Sequence, residues 1–278
     1  MPAAGFVYAR ANAHKEHHMA EFTSHAPGTP SWVDLMATDL DAAKDFYENV
    51  FGWELTDEFD DGGNRVYVMA HLDGKAVAGL GQVPPGMDMP SVWNTYIASA
   101  DLAATTKAVE GAGGTVIMPQ MQVMEAGHMA VFADPAGAAF SAWQPANHIG
   151  AEVGNIANTY SWNELMSRDV DTAKAFYAEV FGWKYEVQKM PTGDYNVITG
   201  GENGGLGGLM AMPPEVPKMV PSHWGVYFTV EDLNASIAAV SDNDGQIVMD
   251  PMELPGIGQM ATVHDNNHAA FTLMQPES

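Results

Sequence analysis

The chain has 278 residues, twice the size of an average domain of roughly 100–200 residues, so two domains are expected and each half is long enough to bury a core of its own. Its formal net charge is −24, from 35 acidic against 11 basic residues, a balance that repels nucleic-acid phosphates and anionic membrane surfaces. It has no cysteine, which excludes disulfides, thiolate nucleophiles and Cys-based zinc or iron–sulfur sites.

Residues 1–28 read as a flexible leader. Its His14, His17 and His18, near Glu16 and Glu21, lack a scaffold that would pre-organise them as metal ligands. The first thirty residues contain no continuous apolar core of the secretory kind, and no run approaches the length of a membrane helix, so a cytoplasmic location is expected.

Residues 31–38 alternate as a strand. Asp39 or Asp41 then caps a helix whose Leu40, Ala43, Phe46, Tyr47 and Val50 form an apolar face, and Gly52 stops it. Strands follow from Trp53, over 65–71 and over 76–83, the last two joined by a hairpin at 72–75. After the Pro/Gly-rich linker 84–90 the order returns: strand 92–98, helix 101–111, strand 115–118, then a hairpin of 128–133 and 138–143 turned at Asp134-Pro135-Ala136-Gly137.

The whole pattern then recurs. Phe46-Tyr47-Glu48-Asn49-Val50-Phe51-Gly52-Trp53 returns as Phe176-Tyr177-Ala178-Glu179-Val180-Phe181-Gly182-Trp183, a shift of 176 − 46 = 130 residues. Ser31-Trp32 matches Ser161-Trp162, Trp93 matches Trp224, and Phe140 matches Phe271. Residues 29–146 and 161–278 are thus two modules of an α+β protein, joined by a linker at 147–160, each with roughly eight strands and two helices. The aromatic residues Phe46, Phe51, Trp53, Phe176, Phe181 and Trp183 are expected to be core. The turn around His264, Asp265 and His268 is expected to serve the turn itself, and the glycine-rich 200–208 lacks the lysine and the helix of a phosphate loop.

An Asp-Leu helix start, Phe-Tyr-x-x-Val-Phe-Gly-Trp and a closing Asp-Pro-x-Gly turn resemble the vicinal oxygen chelate superfamily of glyoxalases, bleomycin-resistance proteins and extradiol dioxygenases, in its tandem-module actinobacterial form. The resemblance implies paired βαβββ units, each pair curling as a curved mixed sheet around a cleft. In metal-using members it implies four His, Glu or Gln ligands per cleft. Those positions fall here on Trp32 and Trp162, on Ser141 and Thr272, and near Asn94 and Gly225, so neither half supplies a plausible ligand set for a divalent ion, and no metal or other cofactor is expected.

Strand alternation then assigns side chains to the clefts. The first would present Trp32, Asp34, Asn94, Tyr96, His128, Ser141 and Trp143. The second would present Trp162, Glu164, His223, Tyr227, Gln259 and Thr272. Aromatic walls with a few polar groups suit a small organic ligand. Two functions remain open: a metal-independent binding protein of the bleomycin-resistance type, or a cofactor-free enzyme of secondary metabolism (lyase, isomerase, cyclase or hydroxylase) using Glu164 with His223, or Asp34 with His128, as acid–base pairs. The partner is expected to be that small molecule, with the chain acting as a monomer of two fused modules or as a homodimer.

Overall fold

A computed structural model of the protein describes residues 20–190, 193–201 and 204–277. The His14, His17 and His18 group lies outside the described residues. The first half runs β1 (Ala20–Glu21), β2 (Pro30–Ala37), α1 (Leu40–Phe51), β3 (Glu54–Phe59), β4 (Arg65–Leu72), β5 (Lys75–Gln82), β6 (Val92–Ala98), α2 (Leu102–Gly111), β7 (Thr115–Val123), β8 (Gly127–Ala133) and β9 (Ala139–Pro145). After β10 (Val153–Gly154), the second half repeats the order: β11 (Tyr160–Ser167), α3 (Val170–Phe181), β12 (Lys184–Met190), β13 (Gly193–Gly201), β14 (Gly204–Ala211), β15 (His223–Thr229), α4 (Leu233–Asp242), β16 (Gln246–Leu254), β17 (Gly258–His264) and β18 (Ala270–Pro276).

Each half builds one eight-stranded mixed sheet, ordered β3-β4-β5-β2-β6-β9-β8-β7 and β12-β13-β14-β11-β15-β18-β17-β16. The two βαβββ units of a half meet at the antiparallel pairs β2–β6 and β11–β15. The helices start and stop as their sequences dictate. Asp39 and Asp169 accept from the N–H groups of Ala42 and Thr172, and Gly52 and Gly182 end α1 and α3 in the left-handed conformation at φ 68° and 71°.

The cores do not follow the halves. One gathers Phe46, Tyr47, Phe51, Trp53 and Trp93 of the first half with Phe228, Val240 and Phe271 of the second. The other gathers Phe132 and Phe140 of the first half with Phe176, Tyr177, Trp183 and Trp224 of the second. The expectation that each half buries a core of its own is therefore corrected. A sheet joins two units of one half, while a core joins a unit of one half to a unit of the other. The aromatic pair on α1 and α3 makes the exchange: Phe46 and Tyr47 pack on Phe271 at 6.3 and 5.8 Å, and Phe176 and Tyr177 pack on Phe140 at 6.0 and 5.5 Å.

Polar bonds follow the same exchange. Trp93 Nε1 donates to the Tyr47 hydroxyl at 2.9 Å, and that hydroxyl donates to Asp265 of the other half at 2.9 Å. The mirrored Trp224 donates to Tyr177 at 3.0 Å, whose hydroxyl interacts with Asp134. Trp183 donates to the Gly28 carbonyl at 2.7 Å and Trp53 to the Asn158 carbonyl at 2.8 Å. The closing turns, expected to serve only themselves, thus also receive the other half's helix.

Residues 20–28 and 147–160, read from sequence as leader and linker, are held in place. Ala20–Glu21 pairs with Val153–Gly154. Beyond β9, the chain bonds back through Ala146 N and His148 N to the Ala126 carbonyl, then through Ala151 N to Ser31 and Glu152 N to Ala76. This strap crosses the start of β2 and β5.

Candidate functional site

The face of each sheet turned away from the cores carries a buried carboxyl at its centre. In the first cleft this is Asp34 on β2, only 3% exposed. It accepts from the Tyr67 hydroxyl at 3.0 Å, the Tyr96 hydroxyl at 2.8 Å and Asn94 Nδ2 at 2.9 Å. Trp32 Nε1 donates to Tyr67 at 3.1 Å, and Ser141 bonds to Tyr96. In the second cleft Glu164 on β11 accepts from the Tyr227 hydroxyl at 2.8 Å and from Tyr195. Trp162 Nε1 donates to Tyr195 at 3.0 Å, and Thr272 bonds to Tyr227 and to Thr262.

Two glycines make these bonds possible. Tyr67 on β4 reaches Asp34 across the intervening strand β5 at Gly79, which is in register with Asp34; a Cβ there would collide with the tyrosine hydroxyl. Gly208 on β14 gives Tyr195 the same passage to Glu164. Neither tyrosine is among the residues that strand alternation assigned to the clefts. The available signal was the repeat itself: Tyr67 and Tyr195 recur at 195 − 67 = 128, Gly79 and Gly208 at 208 − 79 = 129.

Burial sets the electrostatics. Desolvation pushes the Asp34 carboxyl up, against the hydrogen bonds from Asn94, Tyr96 and Tyr67 that favour its ionised form. It pushes Glu164 up likewise, against Tyr195 and Tyr227. The phenols of Tyr67, Tyr96 and Tyr227 are driven up by burial and by the adjacent carboxylates, so they remain donors. The arrangement can hold or pass one proton per cleft and can orient one polar group of a ligand.

The walls are aromatic and methionine-rich. In the first cleft, cross-strand register lines Trp32, Tyr96 and Ser141 in one row, and Trp143, Met129 and Met121 in another. In the second, Trp162, Tyr227 and Thr272 form the matching row, beside Met274, Met260 and Met252. Trp32, Asp34, Asn94, Tyr96, Ser141 and Trp143 therefore do share one face, as do Trp162, Glu164, Tyr227 and Thr272.

Two expected members stand on the other face. His128 is in register with Gln144, whose side chain serves the start of α2, so it occupies the helix side of its sheet rather than the face of Ser141 and Trp143. Gln259 is in register with Gln275, which serves the start of α4 in the same way. Both corrections have one cause: a one-residue step along a strand reverses the face. His223 keeps the face of Gly225 and Tyr227 but lies opposite Met166, two residues past Glu164, and its Nδ1 bonds the Pro221 carbonyl at 2.9 Å. The structure thus gives neither Asp34–His128 nor Glu164–His223 as a hydrogen-bonded pair.

A histidine the sequence did not suggest is present instead. His148, on the strap, packs edge-on against Trp32 at 4.6 Å and near Trp143 at 5.8 Å, while Trp143 Nε1 donates to the His148 carbonyl at 2.9 Å. Its Nε2 is buried without a hydrogen-bond partner, and desolvation depresses its pKa to about 4.

The profile of the Glyoxalase/Bleomycin resistance protein/Dioxygenase superfamily matches residues 29–141 and again 148–272, and the chain belongs to that superfamily as a tandem two-module member. Among its relatives is "Putative glyoxylase CFP32" of Mycobacterium bovis, 41% identical over 261 residues, with 93% of this chain and 98% of the relative covered. "Anthracycline biosynthesis protein DauV" of a Streptomyces species is 35% identical, covering 91% and 95%. Among solved structures, the Mn(II)-bound glyoxalase of Novosphingobium aromaticivorans shares the fold with a TM-score of 0.64 at 16% identity, over 90% of this chain and 82% of that one. Homoprotocatechuate 2,3-dioxygenase of Arthrobacter globiformis does so at 0.63 and 14%, over 95% and 84%.

The clefts do not suit the divalent ion that some of these folds hold. Among the described residues no three His, Asp or Glu side chains converge. Each cleft offers one carboxyl, and N–H or O–H donors aim at it. A cation there would have to displace those donors while gaining no second anionic or imidazole ligand.

Proposed function

We propose that this protein binds a planar aromatic small molecule in a concave cleft, without a metal ion, as a binding or sequestering protein of the bleomycin-resistance type. One observation carries the reading: a single buried carboxyl, ringed by tyrosine hydroxyls, set in a wall of tryptophan and methionine. The wall supplies apolar contact that adapts to ring shape, and the carboxyl and hydroxyls fix orientation. The relatives named for anthracycline biosynthesis support an aromatic ligand of fused rings. Titration with 2-hydroxyanthraquinone, followed by tryptophan fluorescence, should give saturable quenching that a chelator leaves unchanged. Absence of saturation, or a requirement for a divalent ion, would overturn the reading.

A second reading is a cofactor-free enzyme. It is favoured by the upward displacement of Asp34 and Glu164, which brings a carboxyl nearer to exchanging a proton at neutral pH. The carboxyls would then act with their tyrosines and not with His128 or His223. Glu164→Gln separates the readings once a converted substrate is in hand. Retained affinity with lost turnover supports catalysis; unchanged turnover removes Glu164 from it.

A further inference from the structure

The two clefts are built on one plan, and they differ at three positions that decide access. Asn94 is in register with Asp34 and covers it with a 2.9 Å hydrogen bond. The residue in register with Glu164 is Gly225. A Cβ placed on Gly225 would meet nothing closer than the Glu164 carbonyl oxygen at 3.8 Å and Met166 Cε at 3.9 Å, so the space filled by the Asn94 side chain has no side chain here. Glu164 is correspondingly more exposed than Asp34, 8% against 3%. The second difference is Trp143 against Met274, a rigid indole against a flexible thioether. The third is the strap, which lays His148 across Trp32 and leaves that indole only 4% exposed.

We propose that the second cleft is the one that takes the ligand, and that the ligand gives Glu164 the hydrogen bond that Asn94 gives Asp34. The ligand is then a planar aromatic molecule carrying a hydroxyl or N–H donor on its ring. It slides over Gly225, with the donor on the Glu164 carboxyl and the ring beside Met274. The first cleft is the same device with the donor built in and the mouth strapped shut. A glycine at 225 is needed because any longer side chain there would occupy the path of the ring. This inference rests on the binding function proposed above.

The test compares 2-hydroxyanthraquinone with 2-methoxyanthraquinone, which has the same rings without the donor. Wild-type protein should bind the hydroxyl compound more tightly, by about tenfold. Gly225→Asn, which restores the first cleft's arrangement, should weaken it by about tenfold or more, with Gly225→Ala intermediate. Quenching should be lost in Trp162→Phe and persist in Trp32→Phe. Should Gly225→Asn fail to fold, the comparison of the two compounds on wild-type protein and on Glu164→Gln decides, because the preference for the hydroxyl must shrink in that variant. Equal affinity for both compounds, or quenching lost in Trp32→Phe alone, overturns this inference and leaves the binding function standing. No saturable binding of either compound overturns both.

Discussion

At the residue scale, burial shifts the titration of the groups that face the two clefts. His148 is the clearest. Its folded pKa is depressed to about 4 from an ordinary value of 6.5. A depressed histidine contributes stability that is fully present above pH 6.5 and is lost as pH falls toward about 4, because the unfolded chain takes up the proton first. Replacing it by phenylalanine should remove that acid sensitivity, worth at most about 3 kcal/mol. Thermal melts of wild type and His148→Phe at pH 7 and pH 4.5 should converge at the higher pH and separate at the lower. Asp34 has the opposite sign. A raised carboxyl favours folding most below its unfolded pKa and loses that contribution as pH rises through its folded one. Asp34→Asn should therefore flatten the fall in stability above the ordinary carboxylate range. Gly79→Ala should cost about 1–3 kcal/mol, measured by denaturant unfolding, because its methyl group would expel Tyr67 from the carboxyl. Of these residues, Trp32, Asp34 and Glu164 were legible in sequence, since strand alternation places them. Tyr67 and Tyr195 were not, because their contact crosses an intervening strand and depends on a glycine of that strand in register with the carboxyl. His148 was hidden in a stretch that reads as linker.

At the scale of elements, α1 and α3 are defined by local chemistry and used by distant chemistry. Their caps, apolar faces and glycine stops are all written within a few residues, and the structure places them as the pattern predicts. Their packing is not local. Tyr47 stacks on Trp53 at 5.6 Å and reaches Asp265, whose other oxygen accepts from Asn267 N and Ala269 N at 2.8 Å each. Tyr47→Phe should orphan one buried carboxyl oxygen and destabilise the protein by about 1–3 kcal/mol. Restoring stability with the second change Asp265→Asn, in a double-mutant cycle, would show that the two act as one unit; strictly additive costs would sink that account.

At the scale of the whole molecule, the four units close on themselves: sheets join them within a half, and aromatic cores join them between halves. One module alone would expose the apolar face of α1 or α3 and half of each core. Residues 1–146 expressed alone should show no cooperative melt and should bind a hydrophobic dye, and mixing with residues 147–278 should restore one transition. A sharp independent melt of either half would contradict the shared cores. The acidic surplus acts at this scale too. Raising salt from about 0.05 M to about 0.5 M should raise the melting temperature by screening self-repulsion among the 35 acidic groups.

The sequence by itself determined the elements, their fourfold repetition and the family. These are local patterns, carried by spacing, caps and turn residues within tens of positions, and repetition made each one readable more than once. Tertiary structure alone decided which units share a core, which side chains ring each carboxyl, and that the stretch after β9 lays His148 against Trp32. Those depend on cross-strand register and on the packing of one module's helices against the other, and no spacing along the chain encodes either.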